Sequence, residues 1–266
     1  MRRKSLKFAV AEMAGLLNSP KKNMAKACKL SAVAAEKGAS LVLFPEGCLN
    51  GNAFTRSRQD SIPADPASFA KLQKISDKTG ITICIGFTAP LEDKFNNAFA
   101  IIRPDRKILF QYKCARSSQE PEFLSAFKDA KRTVFEVDGV RTVISICCEY
   151  GLERIEESIK DASPKLILHP SAGCLRKDQV ASGRSESQAA RSFRKECRSG
   201  VERSAEEVRR RGIPKICANP IGFDGETFWP GNSFAVDGKG NIILWIPGEN
   251  RPGQMKDSIE LRIIPI

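Results

Sequence analysis

The stretch RTVISICCE, residues 141–149, is apolar through its middle and then stops on two cysteines and a glutamate. Read as a strand, it carries a thiol to a strand end, and the neighbouring sequence repeats the device. TVFEVDG (133–139) forms a strand pair with it. Upstream, SLVLFPE (40–46) is an apolar run of the kind buried on both faces, and it ends on Glu46, a carboxylate expected to be exposed at the strand tip. AFAIIRP (98–104) and KILFQYK (107–113) read as a hairpin whose second arm ends on Lys113. A thiol, a carboxylate and an ammonium thus share one kind of structural position.

Outward from these stretches, LKFAVAEM (6–13), ITICIGF (81–87) and KLILHPS (165–171) read as further strands. KICANPIG (215–222), NSFAVDG (232–238) and NIILWIP (241–247) follow as strands joined by glycine turns. Helical spacing covers 23–37, closed by Gly38, then 66–79, 152–160 and a long charged region up to Arg211. There is no internal repeat, low-complexity tract or linker. Strands alternating with helices, together with strand pairs throughout, predict a layered α/β sandwich in one domain spanning 1–266.

Composition narrows the chemistry. At 266 residues and 41% hydrophobic content the chain can bury a large core. No segment approaches the roughly 20 apolar residues of a membrane span, and the basic start, residues 1–4, leads into no sufficient apolar run. Neither export nor a membrane partner is expected. The cysteines number nine, with no CxxC pair, which suits free thiols in a reducing, cytoplasmic setting. His169 is the single histidine, so zinc sites built on two histidines are excluded and no metal site is expected. No phosphate-binding or dinucleotide-binding loop is present, so no cofactor is expected either.

The formal charge of +12 would suit an anionic partner. Much of it lies between residues 176 and 215, in Arg191, Arg194, Lys195, Arg198 and the run Arg209, Arg210, Arg211. Glu186, Glu196, Glu202, Glu206 and Glu207 are interleaved, which describes a solvated helical face; a nucleic-acid or other polyanion-binding surface is the less favoured reading.

A thiol, a base and a fixed cation are the parts needed for nucleophilic attack at a carbon–nitrogen bond without histidine. In this combination the chain resembles the nitrilase, or carbon–nitrogen hydrolase, superfamily. LVLFPEGCLNG resembles its glutamate motif, RKILFQYK its lysine motif and VISICCE its nucleophile motif, in the family's order. LILHPSAG, ICANPIG and WPGNSFAVDGKGNII resemble three later family segments.

The resemblance implies a four-layer αββα sandwich, a cofactor-free amidase or nitrilase chemistry on a small amide, N-carbamoyl compound or nitrile, and a homodimer or larger homo-oligomer. It places the base at Glu46, the lysine at Lys113 and the nucleophile at Cys147, with the adjacent Cys148 as the alternative thiol and its N–H as an oxyanion donor. Strand alternation would let only one of the two thiols meet the other groups. A second glutamate falls at Glu120, or at the nearby Glu122. Asn52 and Phe54, where the family often has tyrosine after its glutamate motif, imply an altered pocket, and Ser171 lies where relatives approach the substrate. Glu149 fits the acid two residues past the nucleophile in nitrilases. His169 reads as a hydrogen-bonded structural residue, and Phe228 and Trp229 as packing or as an entrance.

Overall fold

The computed structural model describes residues 4–51, 60–118, 120–176, 186–223, 227–248 and 256–266. In chain order the larger elements of the first half are β1 (Ser5–Glu12), α1 (Pro20–Glu36), β2 (Leu41–Leu43), α2 (Ala70–Thr79), β3 (Thr82–Leu91), β4 (Lys94–Ile102) and β5 (Leu109–Tyr112). The second half has β6 (Phe135–Val137), β7 (Val140–Ile144), α3 (Glu153–Ala162), β8 (Leu166–Pro170), β9 (Leu175–Arg176), α4 (Glu186–Arg211) and β10 (Lys215–Ala218). Then come β11 (Ile221–Phe223), β12 (Thr227–Pro230), β13 (Ser233–Val236), β14 (Ile242–Ile246) and β15 (Ser258–Pro265).

Two six-stranded sheets result, ordered β15-β1-β2-β3-β4-β5 and β14-β13-β10-β8-β7-β6. Each has the same plan: three parallel strands in the middle, β1-β2-β3 or β7-β8-β10, flanked by antiparallel ones. Parallel neighbours need crossovers, and α1, α2, α3 and α4 supply them. The helices therefore lie outside. Ala27 and Leu72 pack with Val42 and Ile83 on one outer face, while Ile155 with Val143 and Val201 with Val236 cover the other. Between the sheets, Phe8, Leu43 and Phe99 meet Ile144, Leu168 and Ile216 in one apolar layer. This is the αββα order expected. α4 turns Val201, Ala205 and Val208 inward and pairs Arg198 with Glu202 on its exposed side, a solvated charged face.

Several boundaries differ from the pattern reading. Strand β7 stops at Ile144, and Cys147–Glu149 is a 3₁₀ turn, so strand alternation does not govern the two cysteines. The stretch 215–222 divides into β10 and β11 around Asn219 and Pro220, because proline cannot donate to a ladder. β15, β9 and β12 were not anticipated. β12 places Phe228 and Trp229 in a small third sheet, 2% and 4% exposed, which makes them packing residues rather than an entrance.

Gly86 in β3 shows how closely the fold grips the glutamate turn. A Cβ there would stand 2.5 Å from the Pro45 carbonyl oxygen, 2.6 Å from the Gly47 nitrogen and 2.9 Å from Glu46 Cα. All three are backbone atoms and cannot swing aside. Gly86→Ala is therefore expected to destabilise the protein by about 1–3 kcal/mol, as overpacking does. Chemical denaturation against the parent chain measures this, and an unchanged midpoint would contradict the packing described.

Candidate active site

Glu46 lies three residues beyond β2, in the turn that Gly86 supports, and is 1% exposed. The expectation of an exposed carboxylate is thus wrong, because buried Asn97 and Lys113 close on it. Its Oε1 accepts hydrogen bonds from Asn97 Nδ2 at 2.5 Å and from Lys113 Nζ at 2.7 Å. The same ammonium donates to Glu120 Oε1 at 2.6 Å, and Glu120 Oε2 accepts the Ser117 N–H at 2.6 Å. Glu122 is exposed, so of the two glutamates it is Glu120 that the loop after β5 turns inward.

Two neighbouring asparagines hold the lysine and the glutamate together, and the sequence reading missed both. Asn96 brackets the Lys113 peptide: its Oδ1 accepts the Lys113 N–H at 3.2 Å and its Nδ2 donates to the Lys113 carbonyl at 3.0 Å. Asn97 takes the Lys113 N–H on its own carbonyl at 2.8 Å while its side chain grips Glu46. Opposite faces of β4 thus serve one site. The signal was present as a polar pair, Asn96-Asn97, inside an apolar strand, where buried amides must find partners.

Cys147 enters from the other sheet. It has φ +49°, a left-handed conformation that non-glycine residues rarely adopt, and it opens the 3₁₀ turn after β7. The turn sets its thiol close enough to the Glu46 carboxyl, the Lys113 ammonium and the Ser171 side chain for all three to act on its ionisation. Strained backbone of this kind is found where a side chain must be presented out of a regular element. Cys148 is half-buried beside it, and its N–H belongs to the first turn of the 3₁₀ segment, where N–H groups lack intrahelical partners.

Burial dominates the electrostatics. It raises the Glu46 carboxyl above its ordinary range, with Glu120 adding to the rise and Lys113 opposing it. Burial also pushes the Cys147 thiol up, as does Glu46, against the pull of Lys113. At Lys113 burial acts against the charge, but Glu46, Cys147 and Glu120 outweigh it and hold the ammonium protonated. The site thus sets a neutral thiol beside the Glu46 carboxyl and the Lys113 ammonium.

Glu149, which fitted the nitrilase acid, has a different setting. It is fully buried; its Oε1 accepts the Cys114 N–H at 2.5 Å, and its Oε2 accepts the Ile146 N–H at 2.7 Å and Arg132 Nη1 at 2.8 Å. Arg132 also reaches the Cys114 sulfur at 2.7 Å. The residue after Lys113 and the residue before Cys147 are therefore tied to one carboxylate.

Ser171 borders a cavity of about 530 Å³ between the second sheet and α4, with His169, Cys217, Asn219 and Phe234 among its walls. His169 donates through Nδ1 to the Ser145 carbonyl at 3.0 Å, and burial lowers its imidazole to about 3, in keeping with a structural role. Asn52 and Phe54 lie outside the described residues. Among the described residues no group of three or more histidine, cysteine or acidic side chains could hold a metal ion, and no helix is long and apolar enough to cross a membrane.

Residues 7–163, which contain Glu46, Lys113, Glu120 and Cys147, match the family model described as carbon-nitrogen hydrolase, and the chain belongs to that family. It is 28% identical over 165 residues to an omega-amidase of Xenopus laevis, covering 56% of this chain and 58% of that relative. It is 27% identical over 216 residues to an arylacetonitrilase of Aspergillus niger, covering 73% of this chain and 65% of the relative. The matches thus span less than two thirds of either relative. Among solved structures the fold is shared with an amidase from Nesterenkonia sp., with a TM-score of 0.72 at 18% identity over 100% of this chain and 92% of that one. It is shared also with a glutamine-dependent NAD+ synthetase of Acinetobacter baumannii, with a TM-score of 0.74 at 16% identity over 98% of this chain and 45% of the other.

Removing the Glu149 carboxylate strands Arg132 as a buried, unpaired charge. Glu149→Ala is expected to cost roughly 3–5 kcal/mol in urea unfolding, the range for breaking a buried pair. Glu122→Ala, at an exposed position, should stay within about 0.5 kcal/mol.

Proposed function

We propose that this chain is a thiol hydrolase that cleaves a non-peptide carbon–nitrogen bond in a small amide or N-carbamoyl compound. The observation that carries the reading is the Cys147 thiol, set on its left-handed turn within reach of a buried carboxylate that is itself paired to a buried ammonium. Glu46 takes the thiol proton as sulfur attacks the carbonyl carbon. The oxygen becomes an oxyanion, stabilised by Lys113 Nζ and the Cys148 N–H. Glu46 then returns the proton to the departing nitrogen, the carbon–nitrogen bond breaks, and ammonia or amine leaves a thioester on Cys147. Water, deprotonated by Glu46, attacks that thioester, and the carboxylic acid departs as the thiol regains its proton. Glu120 anchors Lys113 through each step.

Because Glu46 must be ionised to accept the proton, and burial raises its carboxyl, kcat/KM should fall as pH drops through a point above the ordinary carboxylate value of about 4.3. Asn97→Ala removes a donor to the ionised form and should move that acid limb further up. A limb that stays in place would argue against Glu46 as base.

Ammonia release from panels of amides, carbamoyl compounds and nitriles tests the reaction class. Cys147→Ala should reduce turnover to background, a loss on the order of 10⁶-fold as for other nucleophile deletions. Mass spectrometry should find the acyl adduct on Cys147. An adduct on Cys148, or turnover that survives Cys147→Ala, would overturn the assignment, and turnover confined to nitriles would replace the amide reading.

A further inference from the structure

Behind the nucleophile turn, on the outer face of the second sheet, lies a buried cation that the reaction does not use. Lys215 opens β10, is 1% exposed, and has its Nζ 3.3 Å from the centroid of the Tyr150 ring and 3.4 Å from Glu207 Oε2. An ammonium this deep in the protein survives only with compensating partners, and here they are one carboxylate and one aromatic face.

Tyr150 is the residue immediately after the Cys147–Glu149 turn, and its N–H donates to the Cys147 carbonyl at 3.3 Å. On the other side of the turn, the Ser145 carbonyl accepts His169 Nδ1, and the His169 ring lies 5.1 Å from the Tyr150 ring. Both flanks of the strained turn are thus held from the same outer face: Ser145 by an imidazole, Tyr150 by a cation.

We propose that Lys215 is a positioning residue for the reaction described above, its buried ammonium bracing the Cys147 turn through the Tyr150 ring. The inference rests on the amidohydrolase reading. It assigns Lys215 no contact with substrate.

The surroundings make the brace sensitive to pH. Burial lowers the Lys215 ammonium to about 8; Glu207 and Cys217 work against the fall, and Arg211 adds to it. The groups facing it come from every neighbouring element: Glu207 and Arg211 on α4, Tyr150 after the nucleophile turn, His169 on β8 and Cys217 on its own strand. Glu156 of α3 is engaged by Arg211, which also pairs with Glu207 at 2.8 Å and lies 5.3 Å from the Tyr150 ring centroid. Of these groups Lys215 is the one placed to lose its charge near pH 8. Once neutral, it no longer attracts the ring as a cation, and the Tyr150 flank keeps only the more distant guanidinium of Arg211.

The test is kcat for ammonia release from a saturating amide across the alkaline range, in the parent chain, Lys215→Met, Tyr150→Leu and the double variant. Methionine keeps the unbranched apolar stem and removes the charge. The parent should lose rate above about pH 8. Lys215→Met should have a kcat lower by roughly ten- to a hundredfold, the scale of a small misplacement of reacting groups, with KM little changed and the alkaline limb gone. Tyr150→Leu should show the same loss, and adding Lys215→Met to it should cost nothing further, since both cut one connection.

A purely structural lysine would instead lower the melting temperature and leave the shape of the pH profile unchanged, and that result overturns the proposal. So does a parent enzyme with no alkaline limb, which can be read even if Lys215→Met does not fold. Absence of ammonia from the parent on every amide removes the catalytic reading and this inference together. An active parent indifferent to Lys215→Met removes only the inference.

Discussion

Glu149 ties the two halves of the site together. A fully buried carboxylate is unfavourable unless its oxygens are saturated, and here three donors from three separate stretches meet it. The Cys114 N–H comes from the lysine side, the Ile146 N–H from the nucleophile side and the guanidinium from Arg132 between them. Any relative shift of the sheets at this point would uncover a charge. The distance between Lys113 and Cys147 is therefore set by a residue that need never touch the substrate.

With that spacing fixed, the state of the thiol follows from its burial and its charged neighbours. Glu46 and Glu120 share one ammonium in a site closed to solvent. Burial disfavours a resting thiolate and Glu46 adds to that, which is why Cys147 stays protonated even beside Lys113. Enzymes that pair cysteine with histidine can store the thiolate as an ion pair. In the mechanism we propose, the proton leaves only as sulfur bonds to carbon and the charge passes onto an oxygen near the lysine. Asn97, donating to the same Glu46 oxygen as Lys113, keeps that carboxylate aimed while its load changes.

How far the sequence could be read depends on how local each feature is. The positions of Glu46, Lys113 and Cys147 were legible because each closes an apolar run, and a run's end is visible in one dimension. Glu120 could be narrowed to two positions, but choosing it over Glu122 required knowing which way the loop turned. Glu149 looked like chemistry because it stands two residues from the thiol; its partners Cys114 and Arg132 are 35 and 17 residues away. Asn96 and Asn97 went unread because they precede the apolar run 98–104 and their partners, Glu46 and Lys113, lie at the ends of other strands. The cation of Lys215 merged with the basic stretch before it, since charge patterning cannot separate a solvated arginine from a lysine turned into the core. Strand β15 went unread for a similar reason: Ile259, Leu261 and Ile263 alternate with charged residues, and Ile263 remains 59% exposed, so the pattern is that of an edge.

That same strand governs the order in which the protein can assemble. β15 pairs with β1 along eight residues, from Ser5 against Pro265 to Glu12 against Ser258, so contacts separated by nearly the whole chain complete the sheet that carries Glu46 and Lys113. During synthesis β1 must wait, one hydrogen-bonding edge open, until residues 258–265 have left the ribosome. Pairing of such long range is slow to form and leaves a bare strand edge liable to join another chain. The second sheet, whose strands all lie between residues 135 and 246, has no such wait. The sheet that leads to Cys147 can therefore be finished first, and Glu46 and Lys113 are secured behind it as the last strand closes.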